Sequence, residues 1–172
     1  IQTKRNMGEY TPKEPPFGYK KSKTIRNHLE IDDYAAGIVS RIYRMYLNGF
    51  GCTVICRVLN EDQIPSPAKY KKEVLKTGYA WDVGKGLWTP ATVRSILKNP
   101  VYMGAIVVRK FDKPSYKLSY KKAIPLEELE LIPDAHEAII SKEDFEKAQQ
   151  IRKKNHVPYF DKNKEPHKYV GL

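Results

Sequence analysis

The stretch Thr89-Pro90-Ala91-Thr92-Val93-Arg94-Ser95-Ile96-Leu97-Lys98 holds the side chains with the clearest chemical use. Threonine followed by proline is a helix start, because the hydroxyl caps a free N–H and proline suits the first helical position. At helical spacing Val93, Ile96 and Leu97 share one face. Thr92, Arg94, Ser95 and Lys98 are left facing outward, with Thr89 at the tip. A helix N-terminus with unpaired N–H groups attracts phosphate. Arg and Lys match the O6 and N7 atoms of guanine in a major groove, and Thr or Ser can reach bases or phosphates. The bland alternative is an amphipathic surface helix with a solvated face.

Other chemistries find less support. Gly84-Lys85-Gly86 is too short for a phosphate-binding loop, and no Gly-x-Ser-x-Gly elbow occurs. Cys52 and Cys56 lie four apart, but His28, His136, His156 and His167 show no matching ligand spacing. Buried thiols are the better reading, and no metal site is expected. Glu127, Glu128 and Glu130 form a carboxylate cluster that reads as a solvated strand edge. A stand-alone metal-dependent nuclease is the rival it leaves open. The sequence therefore points to no catalytic residue, cofactor or small-molecule substrate.

Charge favours a polyanionic partner. The 172 residues include 31 Lys plus Arg and 20 Asp plus Glu, a formal net charge of +11. The surplus is segregated: residues 65–125 hold 13 basic and 3 acidic side chains, residues 1–30 hold 7 and 3, and the remainder is slightly acidic. Solubility alone gives no reason for such segregation, whereas a nucleic-acid-binding face does. Lys69, Lys71 and Lys72, with Arg109, Lys110, Lys117 and Lys121, are candidate phosphate contacts, and Arg5 and Lys13 could track a minor groove. Twelve tyrosines keep a second reading open, an RNA-binding or ribosome-associated basic module that stacks bases on exposed rings. No apolar run is long enough to span a membrane, and the first residues do not read as a secretory signal. With only two cysteines, a reducing intracellular setting is expected.

These side chains need a scaffold, and the pattern is α+β, mainly α. Residues 1–16 read as an arm or linker, with packing starting near Phe17. A helix capped by Asp32 or Asp33 runs to about Leu47, burying Ala35, Ile38, Val39, Ile42, Met45 and Tyr46. Asn48-Gly49 stops it. A second helix covers about Thr53 to Asn60, with Val54, Ile55, Val58 and Leu59 inward. Residues 61–88 read as one long basic connection. After the Thr89 helix, Asn99-Pro100 is a stop. A basic β-hairpin is expected from a strand at about Gly104–Arg109, a turn at 112–115 and a return strand at 116–121, with Leu129–Ile132 as a third strand. Tyr102, Tyr116 and Tyr120 are expected to pack rather than stack on nucleic acid. Ser141 caps a last helix to about Asn155, and 156–172 form a polar tail. The helices at 53–60 and 89–98 form a helix-turn-helix-like pair, although their connection is far longer than a standard turn.

Four motifs in order carry a family resemblance: Pro15-Pro16-Phe17-Gly18-Tyr19; Leu59-Asn60 with Ile64-Pro65-Ser66-Pro67; Ile96-Leu97-Lys98-Asn99-Pro100-Val101-Tyr102-Met103-Gly104; and His136-Glu137-Ala138-Ile139-Ile140-Ser141. Together they resemble the recombinase domain of large serine recombinases, the integrases and transposases of phages and mobile elements. The resemblance spans about residues 15–155. Gln63 departs from it, since the family usually has Gly before Ile-Pro. The resemblance implies a domain that binds double-stranded DNA at attachment half-sites in a bacterial cytoplasm. It implies that the serine nucleophile belongs to a catalytic domain N-terminal to this region. A zinc ribbon would follow Tyr169-Val170-Gly171-Leu172, and dimers or tetramers would form largely through those other domains. On this reading residues 1–16 and 156–172 are linkers, 17–155 is the DNA-binding domain, and the chain does not itself cut DNA.

Overall fold

Asp32 opens the first helix as expected: its carboxylate accepts from the Ala35 N–H at 3.4 Å, and α1 runs Asp33–Leu47. The computed structural model describes residues 3, 7–12, 14–76, 86–109, 111–112 and 122–155. The buried stripe of α1 is Ala35, Ala36, Ile38, Val39, Ile42, Tyr43 and Tyr46, with Met45 at its edge. The chain leaves α1 through Gly49, whose positive φ of 90° suits a residue without Cβ.

Helix α2 spans Cys52–Glu61 and buries Ile55, Cys56 and Leu59, while Val54 and Val58 are only half-buried. It ends in a Schellman turn. Gln63 N–H donates to Asn60 O at 3.1 Å and Ile64 N–H to Leu59 O at 3.0 Å, with Gln63 at φ +55°.

The stretch 61–88 is not one uninterrupted connection. It contains α3, Pro67–Glu73, capped by Ser66, whose hydroxyl accepts from Lys69 N–H at 3.5 Å. Pro67 looks like a terminator when read from the preceding helix. Its fixed φ and missing N–H suit the first position of a new one.

Helix α4 spans Pro90–Leu97, and a 3₁₀ turn follows at Pro100–Met103. The last helix, α5, spans Lys142–Lys154, with the Ser141 hydroxyl accepting from Asp144 N–H at 3.1 Å. In the helical core α1 packs against α2, α4 and α5, and α4 also packs against α2 and α5.

Three two-stranded antiparallel pairs complete the described α+β fold. β1 (Tyr19–Lys21) pairs with β2 (Leu29–Ile31), an N-terminal hairpin that the sequence pattern does not announce. β3 (Ile106–Val107) pairs with β6 (Leu131–Ile132), and β4 (Phe111–Asp112) pairs with β5 (Lys122–Ala123). The expected strand at 104–109 thus takes the suspected third strand as its partner. The expected return strand at 116–121 lies outside the described residues, as do Tyr116, Tyr120 and residues 156–172.

Packing starts before Phe17. Tyr10 is buried; its N–H donates to Asn27 O and its hydroxyl to Glu14 O, both at 2.7 Å. The core itself is rich in tyrosine. Tyr19, Tyr43 and Tyr102 are all at most 2% exposed, and the Tyr102 hydroxyl donates to Phe17 O at 2.9 Å. Burial raises the pKa of all three phenols above the ordinary tyrosine range.

Candidate nucleic-acid interface

The outward face of α4 is held by hydrogen bonds at both ends of its helix. At the start, Asn60 of α2 grips the Trp88 backbone. Its Oδ1 accepts from Trp88 N–H at 2.9 Å and its Nδ2 donates to Trp88 O at 3.2 Å. The Trp88 indole N–H donates to Ile64 O at 3.0 Å, and the ring meets Phe17 edge-on at 5.6 Å. At the other end, the Gln149 amide donates to Leu97 O at 2.7 Å. The Tyr43 hydroxyl lies 3.3 Å from both Ile96 O and Leu97 O. Ile96 O also accepts from Asn99 N–H at 3.1 Å, while Leu97 O, past the last intrahelical bond, is satisfied by these buried side chains.

The predicted residues of α4 fall where the periodicity places them. Val93, Ile96 and Leu97 are buried; Thr89, Arg94, Ser95 and Lys98 are exposed, and Thr92 is half-buried. Thr89 has a structural duty, since its hydroxyl accepts from Thr92 N–H at 3.2 Å and lies 2.9 Å from the Thr92 hydroxyl. The Arg94 side chain lies back along its own helix, Nε donating to Pro90 O at 3.2 Å. Its charge also faces the α2 thiols. Burial pushes Cys52 and Cys56 up, and Arg94 opposes that shift. Lys98 borders an open groove of about 570 Å³ with Ile124, Pro125, Glu127, Leu129, Arg152 and Lys153. Glu127 is tied to Lys153 at 2.7 Å, and that hydrogen bond holds its carboxyl below the ordinary range.

The remaining predicted cations divide. Lys69 is half-buried and Lys72 exposed on α3, and Arg109 is exposed after β3. Lys71 is half-buried, with its ammonium 2.6 Å from Pro15 O, and burial lowers its pKa. Arg5, Lys13, Lys110, Lys117 and Lys121 lie outside the described residues.

Sequence reasoning passed over four exposed cations on the β1–β2 hairpin: Lys20, Lys21, Lys23 and Arg26. The available signal was a run, Ser22–His28, polar but for Ile25, between the apolar ends Phe17-Gly18-Tyr19 and Leu29-Glu30-Ile31.

The residues behind the two rival readings can be placed in part. Of the described tyrosines only Tyr34 is exposed, and its ring stacks on Tyr70 at 5.5 Å, so the described tyrosines present no open row of stacking rings. Glu127, Glu128 and Glu130 are exposed, and no group of three His, Cys, Asp or Glu among the described residues is arranged to hold a metal. No described helix is long and apolar enough to cross a membrane.

Comparison with known proteins matches residues 33–155 to a family model described as Recombinase. A solved structure described as a crystal structure of an LSR–DNA complex is similar over 89% of this chain, at 20% identity and a TM-score of 0.53. A second, described by the sequence requirements of the Listeria innocua prophage attP site, is similar over 83%, at 21% identity and a TM-score of 0.50. This chain spans 36% of the first structure's chain and 44% of the second's.

Proposed function

The chain belongs to the Recombinase family, the recombinase domain of large serine recombinases, and from that membership we propose that it binds duplex DNA sequence-specifically at recombination attachment half-sites. The observation that carries this reading is α4: an outward Thr/Arg/Ser/Lys face on a helix whose two ends are fixed by side-chain hydrogen bonds, fully buried at its C-terminal end. A rigid helix of this kind keeps the register of donors against base edges, which is what direct readout requires. The solved relatives, one of them an LSR–DNA complex, support the same partner.

Arg94 is assigned to a guanine edge, Ser95 and Thr92 to bases or phosphates, and Lys98, Lys69, Lys72 and Arg109 to the backbone. Thr89 keeps the helix N-terminus ordered beneath a phosphate. Residues 17–155 form the binding domain, with Tyr10 and Pro15 of the preceding arm docked on it, and linkers lie beyond. The parent is a serine site-specific recombinase that assembles as a dimer or tetramer through its other domains. There a serine attacks the phosphodiester, forms a phosphoseryl–DNA bond and releases the deoxyribose hydroxyl. This chain positions that chemistry on its site.

The deciding experiment is footprinting and competition on the attachment-site duplex adjoining the parent gene, with mixed-sequence DNA and RNA as competitors. Arg94→Ala is expected to cost about 1–3 kcal/mol on the specific duplex and to relax discrimination. Lys98→Ala should weaken all duplexes alike. RNA competing as well as the specific duplex, or unchanged affinity in a folded Arg94→Ala variant, overturns the assignment.

A further inference from the structure

The β1–β2 hairpin concentrates exposed positive charge while burying Tyr19 and Leu29 in the core. Residues 19–31 carry Lys20, Lys21, Lys23 and Arg26 against a single carboxylate, Glu30. Glu30 sits directly across the strand pair from Lys20, which leaves Lys21, Lys23 and Arg26 without an acidic neighbour in the hairpin register. The tip is ordered by its own hydrogen bonds. The Ser22 hydroxyl accepts from Ile25 N–H at 2.9 Å and Thr24 N–H at 3.2 Å, and Ser22 N–H donates to His28 O at 2.9 Å. Concentrated like charge on a fixed turn carries a self-repulsion that an anionic partner relieves.

The hairpin is also joined to the α4 region. Its Asn27 accepts the Tyr10 N–H through O at 2.7 Å and donates through Nδ2 to Glu9 at 2.6 Å. The same segment runs on to Pro15, which Lys71 of α3 holds, and to Phe17. Phe17 meets Tyr70 of α3 edge-on at 5.5 Å and Trp88, the residue before the α4 cap, at 5.6 Å. Residues 9–12 and 14–17 therefore connect hairpin, α3 and the start of α4 as a strut.

Resting on the reading of α4 as a DNA-contacting helix, we propose that the β1–β2 hairpin is a second contact element. It grips the sugar–phosphate backbone of the same duplex through Lys21, Lys23 and Arg26, and the strut sets its distance from α4. Contacts of this kind fix position and add salt-dependent affinity without reading sequence.

The test uses the 172-residue chain and mixed-sequence duplex DNA. A triple variant, K21A/K23A/R26A, is compared with a charge-matched control on α5, K142A/K147A/K154A, after thermal melting shows both folded. The slope of log affinity against log salt should fall by about 2–3 in the hairpin variant, near 0.9 per lost phosphate contact, and by less than about 1 in the control. Arg94→Ala should keep the wild-type slope on this probe to within about 1. Equal slopes for the hairpin variant and wild type overturn the hairpin proposal while leaving the role of α4 standing. Equal losses in hairpin variant and control also overturn it, because net charge alone then explains them. Absence of any duplex binding by the wild-type chain removes both.

Discussion

The Lys71 ammonium donates to the Pro15 carbonyl at 2.6 Å, joining α3 to the segment that precedes Phe17. Read from sequence, Lys71 is one of three equivalent lysines; in the fold it is the half-buried one, its pKa lowered by burial and partly restored by Glu14. Lys71→Met keeps the stem and removes the ammonium. Loss of a charge-assisted hydrogen bond should loosen residues 9–12 and 14–16 by about 1.5–3 kcal/mol. Amide exchange at Tyr10 measures this, since that N–H is bonded to Asn27. The salt slope of DNA binding should stay unchanged, whereas losing a phosphate contact would lower it by about 0.9.

Gln63 occupies the left-handed position of the Schellman turn that ends α2, at φ +55°. A residue with Cβ is strained there by about 1–2 kcal/mol, and glycine is not. Glycine costs up to about 1 kcal/mol more backbone entropy on folding, so part of the gain is offset. Gln63→Gly should therefore stabilise the fold by about 0.5–1 kcal/mol, read as a higher denaturant midpoint at constant slope. This is the position where the sequence departs from the glycine usual in the family, and the backbone still adopts the glycine conformation.

Why some elements were legible and others were not follows from where their information resides. α1 and α4 announce themselves locally, through Asp32 and Thr89 as caps and through apolar residues at helical spacing. α3 has one buried side chain, Tyr70, so it shows no stripe, and Pro67 is ambiguous between stop and start. The pairing of β3 with β6 joins two-residue strands across an intervening segment, which periodicity cannot register. For the site, outward-facing charge on α4 could be read directly. The clamps Asn60, Tyr43 and Gln149 could not, because each acts on backbone far away in sequence.

His136 supplies a pH dependence. It is 7% exposed, its Nε2 lies 2.8 Å from Val101 O, and its ring meets Tyr19 edge-on at 4.9 Å. A carbonyl only accepts, so Nε2 carries the proton and Nδ1 is the bare nitrogen. That Nδ1 has no hydrogen-bond partner among the described residues. Burial lowers the His136 pKa, opposed by the Val101 bond. Since the folded value lies below the unfolded one, the stabilisation is present above the ordinary histidine pKa of about 6.5. It is lost as pH falls below that value toward the folded pKa, with a slope of at most about 1.4 kcal/mol per pH unit. Denaturant midpoints measured across this window should decline for the native chain and flatten for His136→Gln, whose neutral amide does not titrate.

Gln149 separates holding α4 from contacting DNA. Its amide is buried, donating to Leu97 O at 2.7 Å, and its Oε1 accepts from Arg152 Nε at 2.9 Å. Gln149→Leu fills similar space but leaves the Leu97 carbonyl without that donor. The expected loss of stability is about 1–3 kcal/mol, the cost of an under-satisfied buried acceptor. Tyr43→Phe withdraws a longer contact to the same carbonyl, 3.3 Å away, and should cost about 0.5–1.5 kcal/mol. Because both residues serve Leu97 O, the double variant should depart from additivity by at least about 0.5 kcal/mol. On DNA, Gln149→Leu should reduce discrimination between specific and mixed duplexes while leaving the salt slope intact, since no cation has been removed. Independent, additive losses with unchanged discrimination would mean that α4 keeps its register without this clamp.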